Sequence, residues 1–244
     1  MFPPYGGLGP YGVYGNLGLF GALVAYGSLN YTETSPSQTF TEPMTTDEVR
    51  RYLRLPIYSP VDPDEDTDLQ GYIIAAREQA EIFQNRDLVQ KQWDMALDYW
   101  PSYRVEMRDP LVSVDLVQYK DSDGVIWPMS ENVASPPDNT DDIDMQYVVD
   151  TQSHPGKIIP PYNQTWPTFA PWPSSAILVR FTSGFAPGSW FWNDAGQRVK
   201  MGMKMLISAW YNNRLPFERG IGPSSEYPFA VTSCLSHGAL VRAR

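Results

Sequence analysis

The sequence predicts an α+β fold, in which two N-terminal helices plus a long C-terminal helix form a helical framework around an inserted antiparallel β-sheet or small barrel. Apolar residues recur at spacings of three and four in residues 69–83 and again in residues 199–210, which is the period of an amphipathic helix. From residue 92 to about residue 185 the apolar residues alternate instead, as in strands with one buried face. Strands grouped between helices are typical of the α+β class.

The composition excludes several kinds of function. The chain has 244 residues, one cysteine and two histidines, so an intrachain disulfide is excluded and a Cys- or His-based metal site has little material. Its net charge of −10 is opposite to that of free-standing nucleic-acid binders, which neutralise phosphates with a basic surface. The first 30 residues contain no lysine or arginine, and the apolar run at residues 19–26 is too short to span a bilayer. We therefore expect a soluble protein without a membrane partner.

Residues 1–40 are predicted to form an extended arm, because glycine alternates there with Tyr, Leu and Phe and no charged side chain occurs before Glu33. Glycine loses much conformational entropy on ordering, so this stretch is not expected to fold alone. Its aromatic content is too high for an inert linker. We expect it to order against a partner or a neighbouring subunit; the alternatives are a disordered tail or packing on its own domain. The candidate contact residues are Tyr5, Tyr11, Tyr14 and Phe20.

The first part of the helical core is predicted at residues 41–91. Thr45 and Glu48 have the spacing of a capping box, which begins a short helix that ends before Pro56. An acidic loop follows, where acids that stabilise the positive end of the next helix are favoured over a cation site. The loop acids are Asp62, Asp64, Glu65, Asp66 and Asp68. The apolar stripe of the second helix consists of Leu69, Tyr72, Ile73, Ala76, Ala80 and Phe83.

An inserted antiparallel β region is predicted at residues 92–187. After an alternating run at residues 93–97, strands are expected at residues 111–119, 125–127, 147–149, 157–159 and 176–181. Asp-Ser-Asp-Gly at residues 121–124 predicts a hairpin turn, and it lacks the third acid and the distal glutamate of a calcium loop.

The C-terminal helical part is predicted at residues 188–236. Its long helix is expected to begin near Asn193 or Asp194, both suitable caps, and a last short helix is expected at about residues 229–235. Residues 237–244 form a basic tail. In this tail Leu240, Arg242 and Arg244 are a second set of candidate partner contacts.

Motifs that would indicate catalysis are missing from the sequence. It contains no Gly-x-Ser-x-Gly nucleophile elbow and no Walker-type phosphate loop. The cluster Asp138, Asp141, Asp142 and Asp144 is interpreted as a solvated acidic loop rather than a weak cation site. The sequence thus predicts no catalytic residue, no cofactor and no metal ion.

Tryptophans in proline-rich sequence leave one alternative function open. Trp166, Trp172, Trp190 and Trp192 would suit a carbohydrate-binding virion module, because aromatic side chains beside carboxylates are typical of sugar sites. Aromatic residues in such loops more often cover a core or lie at a subunit interface.

Several short motifs occur in a recognisable order. They include Glu-Val-Arg-Arg-Tyr-Leu-Arg-Leu at residues 48–55, Ile-Ile-Ala-Ala-Arg at 73–77, Asn-Arg-Asp-Leu-Val at 85–89, Arg-x-Pro-Leu-x-Ser-Val at 108–114, Tyr-Val-Val-Asp at 147–150, Pro-Gly-Lys-Ile at 155–158, Val-Arg-Phe-x-x-Gly-Phe at 179–185, Ala-Trp-Tyr-Asn-Asn-Arg at 209–214 and Pro-Phe-Ala-Val at 228–231. In this order and spacing they resemble phage head–tail connector (adaptor, or head completion) proteins over about residues 42–235. The arm before residue 40 and the acidic stretch at residues 138–144 depart from that pattern.

The resemblance implies a structural virion protein rather than an enzyme. Such adaptors form a homo-oligomeric ring, expected to be a dodecamer, between the portal protein and the tail or neck proteins, and DNA passes through the ring without sequence-specific binding. The chain would be made in the host cytoplasm and end in the virion neck. An acidic lining would let DNA slide past, since like charges repel. We therefore expect Asp62, Asp64, Glu65, Asp66 and the acids of residues 138–144 to face the channel.

Overall fold

The computed structural model describes residues 30–33, 41–56, 63–131, 146–212 and 229–236. The helices are α1 (Thr46–Leu53), α2 (Pro63–Gln84), α3 (Trp190–Asn193), α4 (Gly196–Asn212) and α5 (Phe229–Leu235). The strands are β1 (Asn30–Glu33), β2 (Lys91–Leu97), β3 (Val105–Glu106), β4 (Leu111–Lys120), β5 (Ile126–Glu131), β6 (Gln146–Asp150), β7 (Lys157–Ile159) and β8 (Ile177–Ser183). Apart from β1, these strands lie between α2 and α3 in the chain, so the predicted α+β class is confirmed.

The strands form one sheet in the order β1-β2-β8-β4-β5-β6-β7-β3. β8 lies between β2 and β4 and is antiparallel to both, and alternate residues along it are buried, as the two-residue period of a strand requires. Among the described strands, β5 and β6 run parallel while the other pairs are antiparallel. The sheet is therefore mixed, and the expectation of an antiparallel sheet is wrong at this pair. A parallel pair needs a long connection, and residues 132–145 provide it.

β1 is a strand within the segment that was predicted to be an arm. It pairs antiparallel with β2, with Asn30 opposite Ala96 and Glu33 opposite Trp93. The pairing uses backbone groups, which every residue except proline can offer, so the side-chain pattern of residues 30–33 gave no strand signal. These four residues of the predicted arm therefore pair with the sheet of their own chain.

The acids that were assigned to a loop lie in the first turn of α2. This helix begins at Pro63, since proline fits the first helical position, where no N–H donor is needed. Asp64, Glu65 and Asp66 follow within that turn and stabilise the positive end of the helix. α1 begins at the predicted capping box, in which Glu48 N–H donates to the hydroxyl of Thr45 at 3.2 Å.

The long C-terminal helix is preceded by a separate short helix that was not predicted. α3 ends where Asp194 leaves helical geometry at φ −127° and ψ −95°. α4 then begins at Gly196, where a Cβ atom would lie 2.8 Å from the carbonyl oxygen of Phe191. The predicted start near Asn193 or Asp194 therefore falls at the break between the two helices.

Two apolar clusters underlie the helices and the sheet. The helical cluster includes Val49, Leu69, Ile73, Ala76, Phe191, Val199, Met203 and Leu206. The sheet cluster includes Met95, Val117, Ile158, Ile177, Val179 and Phe181. Because the two clusters are separate, each layer has a core of its own. Burial of each large apolar side chain stabilises the fold by about 1.5–3 kcal/mol.

Candidate functional surfaces

Two of the acids predicted to face a DNA channel are engaged within the chain. Arg50, which is 2% exposed, donates from Nη1 to Glu65 Oε2 at 2.7 Å and from Nε to Asp66 Oδ1 at 2.9 Å. Burial lowers the pKa of Arg50, but the hydrogen bonds to Asp66 and Glu65 outweigh it, so the pKa is raised. The Tyr211 hydroxyl donates to Glu65 Oε1 at 2.9 Å. These carboxylates therefore join α2 to α1 and α4, while Asp64 is exposed.

Most other predicted contact residues lie outside the described residues. They are Tyr5, Tyr11, Tyr14 and Phe20 of the arm, Leu240, Arg242 and Arg244 of the tail, and Asp62, Asp138, Asp141, Asp142 and Asp144 of the acidic segments.

A buried carboxylate at the end of α2 ties this helix to the sheet. Glu81, 5% exposed, accepts hydrogen bonds from Arg77 Nη1 at 2.8 Å and Lys91 Nζ at 2.7 Å. Its other oxygen accepts the backbone N–H of Leu88 at 3.0 Å. Arg77 also binds Glu42 at 3.1 Å. Two cations and two carboxylates therefore compensate one another, as buried charges require.

A second buried carboxylate lies in the connection between α2 and β2. Asp87 is fully buried and accepts two hydrogen bonds of a planar pair from Arg108, with Nη2 at 2.6 Å from Oδ1 and Nε at 2.9 Å from Oδ2. Trp93 Nε1 donates at 3.0 Å, and the Ser183 hydroxyl donates as well. Asp87 thus holds together segments that are far apart in sequence.

The same connection passes so close to the end of β8 that a glycine is required there. Gly184 has φ of +110°, and a Cβ atom would lie 2.0 Å from the carbonyl oxygen of Val89. Residues 85–89 and 179–185 belong to the motifs that resemble connector proteins, but the sequence did not predict the contacts that Asp87 makes between them. A weak signal was available, since Asp87 directly precedes the apolar pair Leu88 and Val89.

The outer side of α2 presents an exposed surface with one large apolar side chain, here called the helical face. It consists of Gly71, Ala75, Glu78 and Ile82, which follow one another at helical spacing. Ile82 is 73% exposed. Gly71 lies inside the helix, and no atom of the described chain lies within 4 Å of the position its Cβ would take. Packing within the described chain therefore gives no reason for this glycine.

A second exposed apolar surface, here called the hairpin surface, lies where β4 turns into β5. Val125, Ile126 and Trp127 are 48%, 54% and 39% exposed. The predicted turn is confirmed, because the Asp121 carboxylate accepts the N–H groups of Asp123 and Val125 at 3.0 and 2.9 Å.

An open groove of about 490 Å³ lies at one end of the sheet. Residues 99–102, which follow β2, and residues from 165 to 171, which precede β8, line it. Trp100 and Trp166 stack there with ring centroids 4.4 Å apart. Within the described chain neither indole N–H has an acceptor. Tyr99 at the groove is 69% exposed.

The tryptophans considered for sugar binding do not form one platform. Trp166 and Trp172 belong to the sheet end, where Lys120 Nζ lies 3.7 Å from the ring centroid of Trp172. Trp190 and Trp192 belong to α3, and Trp192 is packed into the helical cluster. The four rings thus divide between two layers.

The described part of the chain offers neither a metal cluster nor a membrane-spanning helix. Across residues 30–33, 41–56, 63–131, 146–212 and 229–236, no three His, Cys, Asp or Glu side chains are grouped to hold a metal ion. No helix in these ranges combines the length and apolarity needed to cross a membrane.

Solved structures from phage-like particles share this fold. No family model and no curated protein matches the chain. A chain from the neck of an empty gene transfer agent particle, computed with C6 symmetry, has a TM-score of 0.63 at 19% identity, covering 89% of this chain and 97% of that chain. A chain from the virion of a native gene transfer agent particle has a TM-score of 0.61 at 18% identity, covering 88% and 97%. A chain from the neck of the native particle, computed with C12 symmetry, has a TM-score of 0.59 at 18% identity, covering 89% and 97%.

The fold is therefore that of chains found in the necks and virions of phage-like particles. This agrees with the resemblance to head–tail connector proteins, which was drawn from the motifs of residues 42–235.

Proposed function

We propose that this chain is a structural subunit of the neck of a phage-like particle, a head–tail connector that works by assembling into a ring rather than by catalysis. The observation that carries the proposal is the fold, which matches 97% of a chain from a gene transfer agent neck. Neck structures computed with C6 and C12 symmetry favour a cyclic assembly. A dodecamer is the stoichiometry we propose.

Two different exposed surfaces support ring formation. A ring closes through heterologous contacts, in which one patch of each subunit meets a different patch of the next. The helical face and the hairpin surface belong to different layers, and each exposes a large apolar side chain, with Ile82 73% and Ile126 54% exposed. Exposed apolar patches mark protein contacts. We assign these two surfaces to the contact between neighbouring subunits.

The remaining partners are the portal protein, the tail or neck proteins, and DNA that passes without sequence-specific binding. The net charge of −10 favours passage, because an acidic wall repels the phosphates. Since Arg50 offsets one of the two negative charges of Glu65 and Asp66, an acidic lining would depend mainly on Asp62, Asp64 and the acids of residues 138–144. The arm and the basic tail are proposed to reach the portal or tail.

Cryo-electron microscopy of the particle that carries this chain tests the proposal. We expect a ring of the chain between portal and tail, with α2 of one subunit facing the hairpin surface of the next. The variant Ile82→Arg should lower the amount of the chain per particle, measured by mass spectrometry against the portal. The matched control is Tyr162→Arg, which alters a side chain that is 96% exposed outside both surfaces. A chain on fibres, or missing from the neck, would exclude the connector function.

A further inference from the structure

We infer that the groove at the sheet end is a docking site for the chain's own N-terminal segment, residues 19–28. This inference goes beyond the proposed function, because it concerns a contact within one subunit and does not need a ring. It leaves residues 1–18, with Tyr5, Tyr11 and Tyr14, available to reach a neighbouring protein, and it assigns Phe20 to the groove instead.

The register of β1 directs the preceding residues toward the groove. β1 runs antiparallel to β2 with Asn30 opposite Ala96. Toward its N-terminus the chain therefore leaves the sheet at the end where β2 stops at Leu97 and β8 starts at Ile177. The groove-lining residues 99–102 follow directly on β2. The exit point of the segment and the groove thus share one end of the sheet.

The distance between the start of β1 and the groove is short. Trp100 lies four residues beyond Ala96 along the chain. Four residues of extended chain span about 13 Å, so residues 26–29 can run beside residues 97–100 and bring Tyr26 to the groove. A separate ligand would have to compete with a segment that is tethered at the site, and tethering raises the local concentration of the segment.

The chemistry of the segment matches that of the groove. Residues 19–28 read Leu-Phe-Gly-Ala-Leu-Val-Ala-Tyr-Gly-Ser and contain no charged side chain. The residues that line the groove, among them Tyr99, Trp100, Trp166 and Phe169, also contain no charged side chain. Apolar side chains can therefore be buried without the cost of desolvating a charge, and the glycines let the backbone approach closely.

The indole N–H groups of the two tryptophans in the groove, Trp100 and Trp166, lack a hydrogen-bond acceptor within the described chain. Trp166 is 7% exposed. Buried indole donors usually have a hydrogen-bond partner. An extended peptide offers one backbone carbonyl oxygen per residue as an acceptor. Both indole nitrogens are covered in the described chain, so residues 19–28 would accept these hydrogen bonds only when the two rings turn toward the groove.

Hydrogen–deuterium exchange of the full chain tests the docking. Deletion of residues 1–28 should raise the exchange rates of residues 99–102 and 165–171 by about tenfold or more, because a docked segment protects the backbone it covers. Exchange in β6 and β7 should not change. The point variant Tyr26→Ser should give part of the same effect without shortening the chain. A synthetic peptide of residues 16–29 should restore protection to the deletion variant.

Matched variants locate the contact within the groove. Tyr99→Ala should weaken the restoration by the peptide by about tenfold, the scale expected for loss of one buried aromatic contact. Tyr162→Ala, which alters an equally aromatic and 96% exposed side chain, should have no effect. Unchanged exchange after both the deletion and Tyr26→Ser would overturn the inference. Protection that appears in the full chain only as protein concentration rises would assign the groove to a second copy and would also overturn it.

Discussion

Replacing Glu81 by glutamine removes the negative charge on which the contact between α2 and the sheet is centred. In the native chain this carboxylate lies 2.8 Å from Arg77 Nη1 and 2.7 Å from Lys91 Nζ. All three side chains are at most 8% exposed. In the variant two cations would face a neutral amide in a place that water does not reach. The perturbation is therefore electrostatic, since glutamine has nearly the size and shape of glutamate.

The expected loss in the free energy of unfolding follows from the burial of the ion pairs. Removal of one partner from a buried pair costs about 3–5 kcal/mol, because the remaining charge is left uncompensated. Arg77 keeps its contact with Glu42 at 3.1 Å, so we expect the lower end, about 3 kcal/mol. With a urea dependence of about 3 kcal/mol per molar for a chain of this size, the unfolding midpoint should fall by about 1 M.

Urea unfolding followed by circular dichroism and tryptophan fluorescence measures this loss. The control is Glu78→Gln on the same helix, whose carboxylate is 61% exposed and lies 3.6 Å from Arg77 Nη2. An exposed pair of this kind contributes about 0–1 kcal/mol, so the control should unfold almost as the native chain does. If Glu81→Gln and Glu78→Gln shift the urea midpoint equally, the buried charge of Glu81 does not stabilise the contact between α2 and the sheet.

Three further predictions concern single positions. Gly184→Ala should destabilise the fold by about 3 kcal/mol or more, measured as soluble yield and circular dichroism, because its Cβ would lie 2.0 Å from the carbonyl oxygen of Val89. Gly71→Ala should stabilise the isolated chain by about 1 kcal/mol in thermal unfolding, since alanine is the better helix former, but should reduce ring incorporation if a neighbour packs on the helical face. The pKa of Asp150 is lowered to about 2 by hydrogen bonds from Ser153. Its stabilising contribution is present above the ordinary pKa of 3.8 and lost as the pH falls through 2, which a carboxyl titration by NMR will follow.

Control variants accompany the predictions for Gly184 and Asp150. Gly188→Ala also places alanine at a positive φ, +73°, but its Cβ would meet no described atom within 4 Å, so it should cost about 1 kcal/mol. Equal losses for the two glycine variants would refute the steric argument at Gly184. An unchanged or lower unfolding temperature for Gly71→Ala would contradict the argument from helix propensity. Asp150→Asn should flatten the acid dependence, and an unchanged pH profile would contradict the assignment to Asp150.

Local patterns predicted most of the helices and strands and some of their ends, such as the start of α1 at its capping box. In α2 the stripe residues Leu69, Ile73 and Ala80 are buried as predicted, because helical periodicity places them on one side. Phe83 was also assigned to this stripe, yet it is 37% exposed. In the last turn Gln84 takes the inner position instead, where its amide donates to the Leu235 carbonyl at 2.8 Å. Amphipathic patterns weigh apolar residues and cannot anticipate such a polar contact.

Features that depend on distant residues were not predictable. β1 forms through backbone pairing with β2, sixty residues or so later in the chain, and the parallel pair β5 and β6 depends on the path of the connection between them. The Asp87 site joins residues as far apart as Ser183. The groove likewise combines residues that precede β3 with residues that follow β7, so five strands separate them in the chain. In each case the sequence contains the side chains, while the fold decides which of them meet.

The hydrogen bonds of Glu81 and Asp87 fix how the helices are oriented on the sheet, and this orientation matters for assembly as well as for stability. A ring closes only when every heterologous contact turns the next subunit by the same angle. If one contact surface is the helical face and the other is the hairpin surface, that angle depends on how the helices are oriented on the sheet. Apolar packing tolerates small shifts, whereas the directed bonds of Glu81 and Asp87 define one orientation. We therefore expect Glu81→Gln to reduce ring incorporation even at temperatures where the variant is fully folded.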